Sequence, residues 1–178
     1  MDVKDTVFIL VDVQGKLAES MHEKAALHDN LRKLVQGMRV LKVPIVWVEQ
    51  IPEKMGPTIP VLKELLAHCA PISKSSFSCC NEPAVVNKIE STGRRQVLIA
   101  GIEAHVCVFQ TAADMVRMGY HVEIVADAVS SRTLSNKTIG LERAKAHGAF
   151  ITSVESCLFD LLRTATAPEF KEILTIVK

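Results

Sequence analysis

The chain has 178 residues, and its 21 Lys and Arg residues nearly balance its 20 Asp and Glu residues, which leaves a formal net charge of +1. This length favours one domain, spanning residues 1–178, with a core of useful size. The scattered charge and the aromatic content of 4% offer no surface for nucleic acid or for an anionic membrane, so neither is an expected partner.

The cysteines and the N-terminus indicate the compartment. Five cysteines are an odd number, which argues against a closed set of disulfides. The start, MDVKDTVFILVD, has only a strand-length apolar run and no small-residue cleavage pattern after it. No run has the length of a membrane-spanning helix. We therefore expect reduced thiols and a cytoplasmic location.

The first half of the chain alternates strand-like and helix-like segments. The five apolar residues from Val7 to Val11 are typical of a central parallel strand covered on both faces, and the run ends at Asp12. After a connection over residues 13–27, apolar residues at helical spacing predict a long helix capped by Asp29 or Asn30. The predicted elements are a strand at 7–11, a helix at 29–41, a strand at 45–48, a short helix at 61–66, a short strand at 71–74 and a helix at 82–90.

The second half begins with a strand, a short connector and a helix that starts near Cys107. The apolar runs from Val97 to Ala100 and from Val122 to Ala126 flank that helix, which predicts a βαβ unit. Ser135 is the predicted cap of the next helix, and Gly148 is its stop. The predicted elements are a strand at 97–100, a helix from about 107, a strand at 122–126, a helix at 134–147, a strand at 149–152, and helices at 155–164 and 168–177.

This alternation predicts a mostly parallel sheet with helices on both faces and right-handed crossovers. In such sheets a ligand site lies at the carboxyl ends of the strands. Asp12, Lys74 and Cys107 all fall at that edge. The cation and the positive end of a helix stabilise a thiolate, while the carboxylate accepts its proton and later returns it to a leaving group.

Four motifs in this order resemble the isochorismatase-like cysteine hydrolase superfamily over nearly the whole chain. They are FILVDVQ (Phe8 to Gln14), ISKSSFS (Ile72 to Ser78), GIEAHVCVFQTAADMVRMGY (Gly101 to Tyr120) and VADAVSS (Val125 to Ser131). The VEQIPEKMG loop and the EAHVC connector are most similar to the small subgroup of isochorismatase domain-containing proteins.

The resemblance implies a catalytic triad of Asp12 as general base, Lys74 as thiolate-stabilising cation and Cys107 as nucleophile. It also implies a non-proline cis peptide at Ile102–Glu103 and an oxyanion hole formed by the backbone N–H groups of Glu103 and Cys107. With this resemblance we expect an α/β fold of three layers, α/β/α, with a six-stranded parallel sheet in the order 3-2-1-4-5-6. A homo-oligomer, as a dimer or a larger assembly, is a further implication.

Two departures from relatives in this superfamily refine the chemistry. Its nicotinamidases hold a metal with histidines after the second strand, whereas this chain has no histidine between His28 and His68. We therefore expect neither a metal nor another cofactor. Isochorismatase itself does not use the cysteine, so the presence of Cys107 favours an amidase-type covalent mechanism over vinyl-ether cleavage.

Several other residues have a functional and a structural interpretation. Asp127 has the position of a fourth site residue, but we favour a structural role in the VSS turn. The cysteines other than Cys107 are interpreted as core packing, and the histidines other than His105 as surface residues. The candidates for lining the substrate pocket are Gln14, Glu49, Gln50, Phe77 and His105, and for His105 a purely structural role is at least as well supported.

The sequence thus predicts a cysteine-dependent hydrolase of a small metabolite, acting on an amide or a related C–N bond through a thioacyl intermediate. One alternative is a protein that keeps the fold and the triad but acts in binding or interaction. Another is a redox sensor that uses a low-pKa thiol at Cys107. The identity of the substrate does not follow from the sequence.

Overall fold

The computed structural model describes all 178 residues and contains one six-stranded sheet in the order β3-β2-β1-β4-β5-β6. All five strand pairs are parallel. The strands are β1 (Thr6–Val11), β2 (Ile45–Gln50), β3 (Ile72–Lys74), β4 (Gln96–Ile102), β5 (His121–Ser130) and β6 (Phe150–Thr152). The predicted sheet and its strand order are confirmed, and the carboxyl ends of all strands meet at one edge.

Helices cover both faces of this sheet, since every residue of β1 is buried although its side chains alternate between the faces. The helices are α1 (Gly15–Glu19), α2 (Lys24–Val40), α3 (Pro52–Met55), α4 (Pro60–Leu65), α5 (Pro83–Glu90), α6 (Phe109–Arg117), α7 (Leu134–Ala146), α8 (Val154–Leu162) and α9 (Phe170–Val177). A 3₁₀ turn at Cys79–Asn81 and a π-helical turn at Ala104–Val108 complete the elements.

A single cluster of 50 buried hydrophobic residues forms the core. The central strands β1 and β4 supply its middle, with Phe8, Ile9, Leu98 and Ile99 fully buried. Unbroken apolar runs therefore mark strands that are buried on both faces, as the sequence indicates. None of the helices has both the length and the apolarity that a membrane span requires.

The start of α2 was predicted wrongly. The helix begins at Lys24, five residues before the expected cap, and the supposed connection before it also contains α1. Asn30 donates its side-chain amide to the carbonyl of Asp127, and Asp29 accepts from Arg32 one turn along the helix. Both polar side chains serve contacts of the helix surface, so neither marks its beginning.

Two other local predictions need correction. Thr133, and not Ser135, caps α7 by accepting from the backbone N–H of Asn136. Asp127 lies inside β5 and accepts from the backbone N–H of Val154 at the start of α8. Its role is structural, as expected, but it holds a different turn from the one predicted.

Candidate active site

The carboxyl edge of the sheet brings the three predicted catalytic residues together. Asp12 directly follows β1, Lys74 is the last residue of β3, and Cys107 lies in the π-helical turn after β4. Because β2 separates β3 from β1, the long side chain of Lys74 has to span the end of β2 to reach Asp12. All three residues are buried, with Cys107 8% exposed.

The backbone turns sharply at Asp12. Its φ of +53° lies in the left-handed region, which aspartate tolerates better than most residues. Its own N–H donates to the carbonyl of Val48 on β2, while its carbonyl accepts from Gln14. This turn ends β1 and directs the carboxylate into the site, at a position where unusual backbone conformations often accompany function.

The ammonium group of Lys74 has no donor to spare. It donates to Oδ2 of Asp12 at 2.7 Å, to Oε1 of Gln50 at 2.6 Å and to the carbonyl of Ser76 at 3.1 Å. An ammonium carries three N–H donors, so these bonds occupy all of them. Lys74 therefore acts on Cys107 through its charge and not through a hydrogen bond.

The second carboxylate oxygen of Asp12 is not bound by Lys74. Oδ1 is buried and has no hydrogen-bond partner in the chain. The thiol of Cys107 is near enough to this carboxylate to affect its pKa. A buried polar atom without a partner costs free energy, which makes this oxygen a candidate for a proton-accepting role.

The connector before Cys107 contains the expected cis peptide between Ile102 and Glu103. The carboxylate of Glu103 accepts from both the backbone N–H and Nε of Arg132, at 3.2 and 3.1 Å. The backbone N–H of Glu103, in contrast, donates to no acceptor in the protein. It is therefore available as a hydrogen-bond donor beside Cys107.

Gln14 and Gln50 were predicted to line the substrate pocket, and both line the cavity of the site. The side-chain nitrogen of Gln14 donates to the carbonyls of Gln50 and Gly56, and its oxygen accepts from the backbone N–H of Gln50 at 2.6 Å. The side-chain nitrogen of Gln50 donates to the carbonyl of Ser75. These amides hold β2, β3 and the loop after β2 together. Gln14 uses both of its N–H donors in this way, whereas Gln50 keeps one N–H without a partner in the protein.

Glu49 and His105 lie outside the cavity, contrary to the expectation that they line it. One carboxylate oxygen of Glu49 accepts from both the backbone N–H and the hydroxyl of Thr58. Nδ1 of His105 forms a 2.9 Å hydrogen bond with the hydroxyl of Ser131. Each side chain anchors a loop of the site from behind.

A cavity of about 260 Å³ lies above Asp12 and Cys107. Phe77, a predicted lining residue, is 56% exposed at this cavity. The sequence argument missed most of the other wall residues, and the IPEKMG stretch around α3 was the available signal. The wall residues that it missed are Leu17, Ile51, Lys54, Met55, Ile102 and Val106.

A family model described as the isochorismatase domain matches residues 6–156. The chain belongs to the isochorismatase family. Isochorismatase domain-containing protein 2 of Danio rerio is 37% identical over 175 residues, covering 97% of this chain and 87% of that protein. Isochorismatase domain-containing protein 2A of Mus musculus is 36% identical, covering 98% of this chain and 84% of that protein.

Solved structures agree with this membership of the isochorismatase family. The MAR1 ribonuclease of Caenorhabditis elegans has a TM-score of 0.92 and 32% sequence identity, with 99% of this chain and 91% of that chain covered. A nicotinamidase of Staphylococcus aureus has a TM-score of 0.75 and 16% identity, over 84% of this chain and 99% of that chain. At that identity the nicotinamidase shares the fold with this isochorismatase-family chain, which places the chain on a scaffold also used by hydrolases.

No group of three or more His, Cys, Asp and Glu side chains in this isochorismatase-family chain is placed to hold a metal ion. Of the candidate donors at the site, the carboxylate of Asp12 is paired with Lys74 and that of Glu103 with Arg132. The prediction that no metal or other cofactor takes part stays a prediction.

Burial sets the protonation of this isochorismatase-family site. It raises the pKa of Asp12, and the neighbouring Lys74 opposes that rise. Burial raises the pKa of the Cys107 thiol as well, the charge of Asp12 raises it further, and Lys74 only partly offsets both. These effects favour a neutral Cys107 thiol in the resting site, whereas the sequence argument expected Lys74 and the helix start to favour a thiolate.

Because several cysteine thiols are buried, we expect the folded protein to lose stability in mild alkali. Burial raises the pKa of Cys79 from 9.0 to about 12 and that of Cys80 to about 11, and it also raises those of Cys107 and Cys157. Well below 9.0 the folded and unfolded chains both keep these protons. Near and above that value only the unfolded chain releases them, so rising pH favours unfolding.

For these four thiols we expect the free energy of unfolding to fall by about 3 kcal/mol between about pH 8 and pH 9.5. Urea unfolding at several pH values measures this fall. Cys157→Ala lowers stability at every pH but should reduce the pH-dependent part by about a quarter. A wild-type stability that is flat over this range would contradict the prediction.

Proposed function

We propose that this protein hydrolyses a small amide or a related C–N bond, with Cys107 as the nucleophile and Asp12 as the general base. The observation that carries the proposal is that the two carboxylate oxygens of Asp12 differ in their hydrogen bonding. Lys74 donates to Oδ2, the buried Oδ1 has no partner in the chain, and Cys107 is near enough to this carboxylate to affect its pKa. A base must be within reach of the proton that it removes, and these observations support that role for Asp12.

In the proposed reaction the proton of the Cys107 thiol moves to Asp12 as sulfur attacks the carbonyl carbon of the amide. The developing oxyanion accepts hydrogen bonds from the backbone N–H groups of Glu103 and Cys107. The C–N bond then breaks, and the nitrogen leaves with the proton from Asp12. A water molecule gives a proton back to Asp12 and attacks the thioester, so that the acid is released and the thiol is restored.

Lys74 has an electrostatic part in this scheme. Its positive charge favours the ionised carboxylate in the resting site and remains beside the site when negative charge develops on sulfur and oxygen. Because all its N–H groups are occupied, it holds the carboxylate in one orientation throughout. In this scheme Asp12 moves the protons, whereas Lys74 supplies the positive charge.

The competing functions have less support. A redox sensor requires a thiolate in its resting state, whereas burial and Asp12 raise the pKa of Cys107. A binding protein has no need of an unpaired buried carboxylate oxygen beside a thiol. The relative from Caenorhabditis elegans is named a ribonuclease, but the net charge of +1 and the largely apolar cavity give this chain no evident phosphate-binding surface.

The remaining partner assignments stay predictions. A homo-oligomer would cover the exposed side chains of Phe150 and Ile151 on the edge strand β6. A structural relative from Escherichia coli is described as an octameric hydrolase, with which this chain shares the fold at 21% identity. The cytoplasmic location, the span of a single domain over residues 1–178 and the small-molecule substrate likewise await experiment.

The test of the proposed function is a panel of small amides and esters assayed with wild type and with Cys107→Ala. We expect wild type to release acid and amine from at least one amide, and Cys107→Ala to lose at least about 1,000-fold in rate. Mass spectrometry of the wild-type protein during turnover should detect the thioacyl adduct on Cys107. Cys157→Ala, which removes a thiol remote from the site, should keep its activity. Equal turnover by wild type and Cys107→Ala would overturn the proposal.

A further inference from the structure

The polar groups around the cavity are almost all committed to partners within the protein. The N–H donors of Gln14 and Lys74 are all used, and the amide of Gln50 keeps one N–H without a partner in the protein. The carboxylate of Glu103 is paired with Arg132. At the reacting end, the groups that remain are Oδ1 of Asp12, the Cys107 thiol and the N–H of Glu103.

The rest of the cavity wall is apolar. Six side chains form it, namely Leu17, Ile51, Met55, Phe77, Ile102 and Val106. A ligand that buried hydroxyl or amide groups against this wall would leave them without partners, at a cost of roughly tenfold or more in affinity for each group. The wall therefore excludes sugars and nucleosides and favours a hydrocarbon body.

One charged group at the cavity lacks a counter-ion. The negative charges of Asp12 and Glu103 are cancelled by Lys74 and Arg132. Lys54, on α3, also lines the cavity, is exposed to solvent, and takes part in no ion pair or side-chain hydrogen bond. Glu49, behind the wall, also has no ion pair, but it is buried and accepts hydrogen bonds from Thr58. Lys54 is therefore the charged side chain at the cavity that is free to bind an anion.

From these three observations we infer the class of substrate, an inference that rests on the proposed amide hydrolysis. The substrate is a small amide with an apolar body and an anionic group, such as a carboxylate, at the end away from the amide. The amide carbonyl lies at Cys107 and Glu103, the hydrocarbon contacts the apolar wall, and Lys54 binds the anion. Lys54 is then a specificity-determining residue of this site.

The size of the cavity limits the hydrocarbon body. Its volume of about 260 Å³ is below the 300–1,000 Å³ that is usual for drug-sized ligands. A short aliphatic chain or a single ring fits such a space, while the anion remains at the rim and keeps part of its hydration. Since Lys54 is exposed, its contribution is a modest gain in affinity and not an absolute requirement.

The test compares amides that differ only in the terminal group. Hexanamide and the monoamide of adipic acid form one such pair, and benzamide and 4-carbamoylbenzoate form another. Wild type should show a higher kcat/KM for the anionic member of at least one pair. Lys54→Gln should raise KM for the anionic member about fivefold with little change in kcat, and should leave the neutral member unaffected.

Two further variants control the experiment. Lys54→Arg keeps the charge and should retain most of the preference. Lys63→Gln removes an exposed lysine that lies on α4 outside this cavity, and it should change neither substrate. Both measurements should be repeated at high salt, where the preference of wild type should shrink.

The possible failures are distinguishable. If wild type hydrolyses neutral amides as well as anionic ones, or if Lys54→Gln affects both members of a pair equally, the inferred substrate class is wrong while the amidase function stands. If no amide is hydrolysed and Cys107 forms no adduct with any of them, the proposed function itself is wrong.

Discussion

Replacing both members of the buried Asp12–Lys74 pair should cost less stability than the sum of the two single replacements. Asp12→Asn leaves the ammonium of Lys74 buried without a counter-charge, and Lys74→Met does the same to the carboxylate of Asp12. Each single change should lower the free energy of unfolding by roughly 3–5 kcal/mol. The double variant leaves no unpaired buried charge, so its cost should fall short of additivity by roughly 2–3 kcal/mol.

Urea unfolding of the four proteins measures this coupling, and the same samples separate stability from catalysis. Activity should be lost by at least about 100-fold in each single variant, and it should not return in the double variant. The exposed pair of Lys24 and Glu19 is a matched control, since its coupling should be below about 1 kcal/mol. Additive losses at Asp12 and Lys74 would mean that the pair is already well hydrated in the folded protein.

The sheet could be predicted because its signal is local and strong. The continuous apolar run of Val7 to Val11 requires burial on both faces, and alternation with helices then requires parallel strands. The same argument placed Asp12, Lys74 and Cys107 at one edge, and the structure brings them together. The resemblance to a known family added the strand order and the cis peptide.

The hydrogen-bond partners of the side chains at the site could not be predicted, because these bonds join residues that are far apart in the chain. Gln14 and Gln50 are 36 residues apart, and only the packed structure shows that the amide of Gln14 bonds the backbone of Gln50. Glu49 has the type and the position of a pocket residue, yet it accepts from Thr58 behind the wall. In contrast, Lys54 had no feature in the sequence that separates it from an ordinary surface lysine.

The protonation of Cys107 shows which physical effect the sequence argument underestimated. A cysteine near a helix start and a lysine suggested a low thiol pKa. In the structure, burial and the charge of Asp12 outweigh the charge of Lys74, whose donors face other oxygens. Burial depends on the whole fold, and a motif gives only the identity of the neighbours.

The second large effect is expected at Gly140 of α7, which packs directly on the connector that carries Cys107. A Cβ atom at this position would lie 2.5 Å from the carbonyl carbon and oxygen of Ala104 and 2.6 Å from the backbone nitrogen of His105. These are backbone atoms, so no side chain can rotate away. Gly140→Ala should therefore displace the connector and with it the sulfur of Cys107.

This expectation is opposite in sign to the intrinsic preference of a helix, where alanine is more stable than glycine by about 1 kcal/mol. We expect Gly140→Ala to lower the free energy of unfolding by about 1–3 kcal/mol. A shift of the nucleophile by about 1 Å can cost about 100-fold, so kcat/KM for any substrate of the wild type should fall by a similar factor. Unfolding in urea and steady-state kinetics measure the two effects separately.

Gly37→Ala on α2 is the matched control, because a Cβ there would lie 2.4 Å from Cδ2 of Leu158, far from Cys107 in the fold. That contact involves the end of a flexible side chain, so we expect a smaller loss of stability and an unchanged kcat/KM. If Gly140→Ala and Gly37→Ala both retain full activity, the connector tolerates displacement, and the position of the Cys107 sulfur is not set by its packing on α7. A selective loss in Gly140→Ala would instead make this helix contact part of what positions the nucleophile against Asp12.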